Sequence, residues 1–101
     1  MKLWIDDCRP APEGWHHCRS VHEGKIICCQ HLKPGKILNI ETMSFDHDAG
    51  DYYSDGGDYI RILDWLEEHG YSYPIHIHSM NSVGVQNMRS IIRHNCWTEI
   101  K

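Results

Sequence analysis

The sequence has no apolar run long enough to cross a bilayer, which takes about 20 residues. It also has no Cys-x-x-Cys pair, no excess of positive charge and no internal repeat. The first absence removes a membrane span from the expectations. Met1-Lys2-Leu3-Trp4-Ile5 runs straight into Asp6-Asp7, so a secretory apolar core is not expected either. Five cysteines without such a leader, two of them adjacent as Cys28-Cys29, do not make a zinc ribbon. They read as buried structural thiols in a reducing cytoplasm. Fourteen aspartates and glutamates outnumber ten lysines and arginines, for a net charge of −4. That balance speaks against general nucleic-acid binding, which needs a basic face against the phosphates. It leaves room for a small phosphorylated ligand or nucleotide held by one or two local cations. A length of 101 residues fits one domain and excludes a second.

What is present alternates between strand and helix patterns. Lys2-Leu3-Trp4-Ile5 reads as a short buried strand ending at Asp6-Asp7. Pro10, Pro12 and Gly14 then impose a loop. Residues 15–19 suit an edge strand. Ser20-Val21-His22-Glu23 is a capping box opening a helix with Gly24, Ile27, Cys28, His31 and Leu32 on one face, stopped by Lys33-Pro34-Gly35. Residues 40–45 form the next strand, and residues 49–57 a mobile loop rich in Gly, Asp and Tyr. Tyr59, Ile62, Leu63 and Leu66 recur at helical spacing over residues 58–69, before an exit at Gly70. Residues 74–78 are a short strand. Asn81 or Ser82 caps a last helix with Val85, Met88 and Ile92 inward.

This order predicts a small three-layer α/β sheet, mostly parallel, of about four strands with about three helices, forming a single domain over residues 1–101. The link before Trp15 is short for a parallel crossover, so the second strand is open to either direction. Ligands of such sheets bind beyond the carboxyl ends of the strands. Asp6-Asp7, Asp46-His47-Asp48 and His78-Ser79 all fall at such ends. Three segments distant in sequence are therefore expected to meet at one edge.

Each cluster has a chemical reading beside a plainer one. Adjacent carboxylates at Asp6 and Asp7 are costly to bury unpaired, and a hard cation such as Mg²⁺ or Mn²⁺ relieves them; a solvated turn would do so too. Asp46 and Asp48 add two carboxylates, and crowded like charges raise pKa values or recruit a cation. The expected metal ligands are thus Asp6, Asp7, Asp46 and Asp48. His78, at a strand end, is the better candidate for a general acid or base, with His47 as the other. His76 suits a hydrogen-bonded core position, or a metal site shared with His78. Ser79 and Asn81 precede a helix start, where free N–H groups and the dipole favour an anion; they also simply cap the helix. Arg9 offers a planar fork to a phosphate, or an ion pair to the neighbouring aspartates.

Four stretches then occur in one order. They are Ile5-Asp6-Asp7-Cys8-Arg9-Pro10-Ala11-Pro12-Glu13-Gly14-Trp15, Ser44-Phe45-Asp46-His47-Asp48-Ala49-Gly50, Gly57-Asp58 with Trp65-Leu66-Glu67, and His78-Ser79-Met80-Asn81-Ser82-Val83-Gly84 with Asn87-Met88. Over nearly the whole chain they resemble the cyclic-phosphate-processing receiver-like domain family of bacteria and their phages. The resemblance implies a shortened response-regulator receiver fold (flavodoxin-like) and a role in processing cyclic phosphates on nucleotides or RNA ends. By the same likeness Asp6 and Asp7 stand at the receiver's acidic metal pair, Asp46 at its phospho-acceptor and Ser79 at its switch hydroxyl. Ser82 stands where the family usually has proline, and Ala49 replaces a larger apolar residue. No strand is expected after Cys96, so the receiver's last strand and its lysine have no expected counterpart, which tells against phosphorelay at Asp46.

The reading that follows is a metal-assisted phosphoesterase for a cyclic phosphate. Asp6, Asp7, Asp46 and Asp48 would hold the cation, Asp46, His47 and His78 would carry the chemistry, and Arg9, Ser79 and Asn81 would hold the phosphate. The alternative is a non-catalytic receiver-like module that binds a cyclic nucleotide or a protein partner.

Overall fold

The structure is a computed structural model that describes residues 1–30 and 40–101 in full and the backbone of 32–33 and 37–38. Five strands form one sheet: β1 (Lys2–Ile5), β2 (Trp15–Cys18), β5 (Thr42–Phe45), β6 (Ile75–Ile77) and β7 (Glu99–Ile100). Between β2 and β5 lie α1 (Val21–Gln30) and a two-stranded antiparallel ladder, β3 (Leu32–Lys33) with β4 (Ile37–Leu38). After β5 come α2 (Ile60–Glu68) and α3 (Ser82–His94). The sheet order is β2-β1-β5-β6-β7, and all four pairings are parallel. The receiver-like α/β sheet is therefore present, with five strands rather than about four. The second strand runs parallel, because the loop of residues 6–14, bent at 7–9 and turned at Glu13–Gly14, carries the chain back along the sheet to Trp15.

The order decides where the helices go. The links β2–β5, β5–β6 and β6–β7 all step in one direction across the sheet and carry α1, α2 and α3 in turn. Right-handed crossovers then put all three helices on one face. The link β1–β2 steps the other way, and it is the proline loop rather than a helix. Among the described residues the opposite face thus carries no helix, so the layering is two deep where three were expected. Burial follows the same division. Leu3, Ile5, Met43, Phe45 and Ile75 point to the helices and are fully buried with Val21, Ile62, Leu63, Leu66 and Met88. Trp4, Trp15, His17 and His76, on the other face, are half-buried.

Local chemistry explains the element ends. Ser20 Oγ accepts the Glu23 N–H at 3.0 Å, while the Glu23 carboxylate accepts the Arg19 N–H at 3.1 Å. The capping box therefore closes one residue early. Helix α1 buries Val21, Gly24, Ile27 and Cys28 and ends at Gln30. Leu32 lies in β3 instead of the helix. His31, Pro34 and Gly35 lie outside the described residues. Asn81 caps α3, its Oδ1 accepting the Gly84 N–H at 2.9 Å. Met88 and Ile92 are buried as expected, but Val85 is only half-buried. Residues 49–57 contain a 3-10 turn, Gly50–Tyr52, and Ala49 is fully buried, so a good part of that loop is fixed by its own hydrogen bonds.

The strand after Cys96 is a correction. Trp97 N–H bonds the Ile92 carbonyl at 3.0 Å, and Cys96 takes a positive φ of 56°. This sharp exit from α3 brings Glu99–Ile100 beside β6. Lys101 follows it, but its ammonium lies 3.5 Å from Glu99, which also receives Arg89 at 2.9 Å. The thiols divide: Cys18 and Cys28 are buried, and burial pushes both up to about 12. Cys8, Cys29 and Cys96 are exposed, contrary to the expectation of buried thiols throughout. No helix among the described residues is long and apolar enough to cross a membrane.

Candidate functional site

Three ladder bonds align the strand ends. Asp6 N–H donates to the Cys18 carbonyl at 3.1 Å, Asp46 N–H to the Ile5 carbonyl at 2.8 Å, and His78 N–H to the Phe45 carbonyl at 2.9 Å. This register brings Asp6, Asp46 and His78 to one edge on the helix-free face. The edge is the switch point of the sheet, where β1 and β5 are neighbours whose links depart in opposite directions.

Asp6 is fully buried. Its Oδ1 accepts the N–H groups of Cys8 and Arg9, each at 2.9 Å, and its Oδ2 lies 2.9 Å from His78 Nε2. Burial alone would raise its pKa, but the two backbone bonds, His78 and the Arg9 charge outweigh it and hold the carboxyl below its usual range. Asp7 goes the other way, raised by burial and by the charges of Asp6 and Asp46. Carboxylate oxygens of Asp6, Asp7 and Asp46 lie within 4.8 Å of one another. Gly50 supports this cluster. It has φ +55°, and a Cβ there would overlap Asp7 Oδ2. Arg9 leans across the edge, with Nε 3.4 Å from Asp6, Nη2 3.8 Å from Asp46 and Nη1 donating to the His78 carbonyl at 3.1 Å.

His78 is wedged in place. Its ring stacks on Trp4 with centroids 3.8 Å apart and planes 4° apart. Its Nδ1 lies 2.7 Å from Ser44 Oγ, which is also 2.7 Å from His76 Nδ1. Burial first lowers the His78 pKa, against the pull of Asp6, which favours the neutral ring. For the neutral ring, one arrangement of protons satisfies every hydrogen-bond partner. Ionised Asp6 accepts from Nε2–H; Nδ1 accepts the one Ser44 hydroxyl proton; Ser44 Oγ accepts from His76 Nδ1–H. Both nitrogens of His78 are thereby engaged, and its clearest role is to orient Asp6. His76 and His78 are coupled through a hydroxyl, and they share no metal-ligand cluster among the described residues.

A second cluster forms beside the first. His47 Nδ1 lies 2.8 Å from Asp48 Oδ1, and Asn81 Nδ2 donates to the same oxygen at 3.1 Å. The His47 bond, chiefly, lowers the Asp48 pKa, with burial opposing and Asn81 helping. Ligand atoms of His47, Asp48 and Asp58 lie within 4.8 Å of one another. Asp48 therefore groups with His47, apart from Asp6, Asp7 and Asp46. Asp46 joins the two clusters, its Oδ1 accepting the His47 N–H at 2.8 Å. His47 packs on the first turn of α3 so tightly that a Cβ at residue 84 would overlap its ring. Its Nε2 has no hydrogen-bond partner among the described residues. A carboxylate on Nδ1 with a bare Nε2 is the arrangement of an oriented base.

Two residues expected at a phosphate are partly committed elsewhere. Ser79 Oγ accepts the Asn81 N–H at 3.0 Å. The Asn81 amide caps α3 and holds Asp48. Sequence reasoning passed over Asp58, Ser44 and Trp4 as site residues. Asp58 Oδ1 accepts the Ala49 N–H at 3.0 Å and ties the 49–57 turn to the edge; its place after two glycines is a signal that was available. A cavity of about 550 Å³ lies apart, between α1, the turn and α2, lined by Lys25, Tyr53, Arg61, Trp65 and Glu68 among others. It holds neither carboxylate cluster.

No match to a curated protein or a solved structure was found. Residues 1–94 match the cyclic-phosphate processing receiver domain, and that match covers both carboxylate clusters, the Ser44 pair of imidazoles and the α3 cap. The chain belongs to the cyclic-phosphate processing receiver domain family.

Proposed function

We propose that the strand-end edge hydrolyses a cyclic phosphate on a nucleotide or RNA end with the help of a divalent cation. The observation that carries this reading is the pairing of two unlike clusters. Three crowded carboxylates, Asp6, Asp7 and Asp46, adjoin an Asp48-oriented imidazole, His47.

The donor set fits a hard cation, because all three groups offer carboxylate oxygen, and burial together with the charges of Asp6 and Asp46 raises the Asp7 pKa. Bound there, Mg²⁺ or Mn²⁺ would neutralise the cluster and draw charge from the phosphoryl oxygens. Every other task falls to the chain. His78 and the backbone bonds fix Asp6. Gly50 leaves room for Asp7. Arg9, half-exposed and at long range from its aspartates, can turn its fork to the phosphate as they take up the cation. Ser79 and the first turn of α3, which packs on His47, would receive the phosphate oxygens. His47 Nε2 takes a proton from the attacking water while Asp48 steadies the imidazolium, then returns it to the leaving ribose oxygen. One P–O ester bond breaks, one P–O bond forms from water, and the proton moves from water to the alkoxide.

The experiment is a product assay. Purified protein is incubated with 2′,3′- and 3′,5′-cyclic nucleotides, with and without Mg²⁺ or Mn²⁺, and the products are weighed by mass spectrometry. Gain of one water on one class, dependent on metal and lost in Asp46→Asn, is expected. Ligands recovered intact throughout would sink the hydrolase and leave a binding module.

A further inference from the structure

We propose that the helix-free sheet face beside the edge, built on Trp4 and Trp15, seats the nucleobase of the substrate. The proposal rests on the function argued above and adds a base subsite to it.

Three observations converge. First, the face carries no helix among the described residues, and it presents two large, half-buried aromatic rings. Trp4 and Trp15 meet edge to face, with centroids 6.0 Å apart and planes at 80°. The rings are held before any ligand arrives. Trp4 Nε1 donates to the Arg9 carbonyl at 3.1 Å, and one side of Trp4 lies flat on His78. Aromatic rings on a strand surface are the usual platform for unpaired bases. Second, the face is continuous with the chemistry. Only the His78 ring separates Trp4 from Asp6, and Arg9 spans both. A ligand with its phosphate at the edge would run along the sheet toward Trp15. Third, the charge suits a nucleotide. Lys2 Nζ sits 5.7 Å from the Trp15 ring centre, and the strand positions on this face carry no carboxylates except Asp6 and Asp46 at the edge. A second copy of the chain fits less well, because Ser44, Thr42, His17 and His76 make the middle of the face polar, whereas the core of a stable dimer interface is apolar.

The test compares a nucleoside 2′,3′-cyclic phosphate with ribose cyclic phosphate, which has the same ring and no base. In Trp15→Ala, KM for the nucleotide should rise on the order of ten-fold while kcat stays within about two-fold, and Trp15→Tyr should restore it. Values for the base-free compound should not move. Should the protein turn over neither compound, the hydrolase reading fails by itself. Calorimetry with the same two compounds then reads the base subsite alone, with the same contrast expected in Kd. In the wild type, the nucleotide and not the base-free compound should quench tryptophan fluorescence, a measurement that needs no variant to fold. The base subsite is overturned if Trp15→Ala affects both compounds equally, or if the nucleotide binds no tighter than the base-free ring. It is equally overturned if sedimentation shows a dimer that Trp15→Ala dissociates.

Discussion

At the scale of single residues, the edge is organised by one carboxylate. Asp6 is buried, and the backbone bonds to Cys8 and Arg9 together with His78 keep it ionised. Because its folded pKa lies below the ordinary 3.8, the ionised form stabilises the fold. That stability is present above the unfolded value and is lost as pH falls through the folded one. Asp6→Asn should therefore cost about 2 kcal/mol near neutral pH, typical of hydrogen bonds to a charged group. In urea melts across pH, the difference from wild type should shrink below about pH 4. An offset that persisted unchanged at lower pH would mean that packing, rather than charge, holds Asp6. Acidic pairs at strand ends were legible because the residues themselves announce their chemistry. Ser44 was not, because its value comes from a register that sets it under two imidazoles more than thirty residues away. Trp4 likewise read as core, since no local pattern says which sheet face will lack helices.

At the scale of elements, two glycines shape the site where turn and helix meet it. Alanine for Gly84 in α3 ought to help a helix by about 1 kcal/mol on propensity alone. Here the added methyl would meet the His47 ring. Gly84→Ala should lower turnover at least ten-fold with little change in thermal stability, because a displaced ring loses its place against Asp48 without emptying the core. Unchanged turnover would remove His47 from the role of base. Gly50→Ala acts on the other cluster. Its positive φ costs an alanine about 1–2 kcal/mol, and the methyl presses on Asp7. Calorimetric titration with Mn²⁺ should show weaker binding than in wild type, while an equal affinity would place the cation away from Asp7. Helix starts were legible in advance because Ser20 and Asn81 cap by local chemistry. The last strand was not, since Glu99–Ile100 offers two residues and gains its place only through the turn at Cys96.

At the scale of the molecule, one topological fact produces both the site and its open flank. The chain steps one way from β1 to β2 and then the other way through α1, α2 and α3. The reversal puts Asp6 beside Asp46 at the switch point, and the helix-free first step leaves Trp4 and Trp15 half-buried on a face without a helix among the described residues. The alternation of elements predicted the parallel sheet and the meeting of its strand ends. It did not predict the separation of Asp48 from the other carboxylates, because an extended chain places Asp46 and Asp48 on one side, and the turn after β5 rotates Asp48 toward Asn81. Lys101 lies with Glu99 at the end of β7, 3.5 Å from its carboxylate. The most direct test follows the oxygen. Wild type and His47→Gln would be given a nucleoside 2′,3′-cyclic phosphate and Mg²⁺ in heavy-oxygen water, and the product phosphate weighed. One heavy oxygen per product is expected from wild type, with the rate falling at least a hundred-fold in His47→Gln, as loss of a general base would require. Product formed without heavy oxygen, or at an unchanged rate in the variant, would contradict water attack directed by His47.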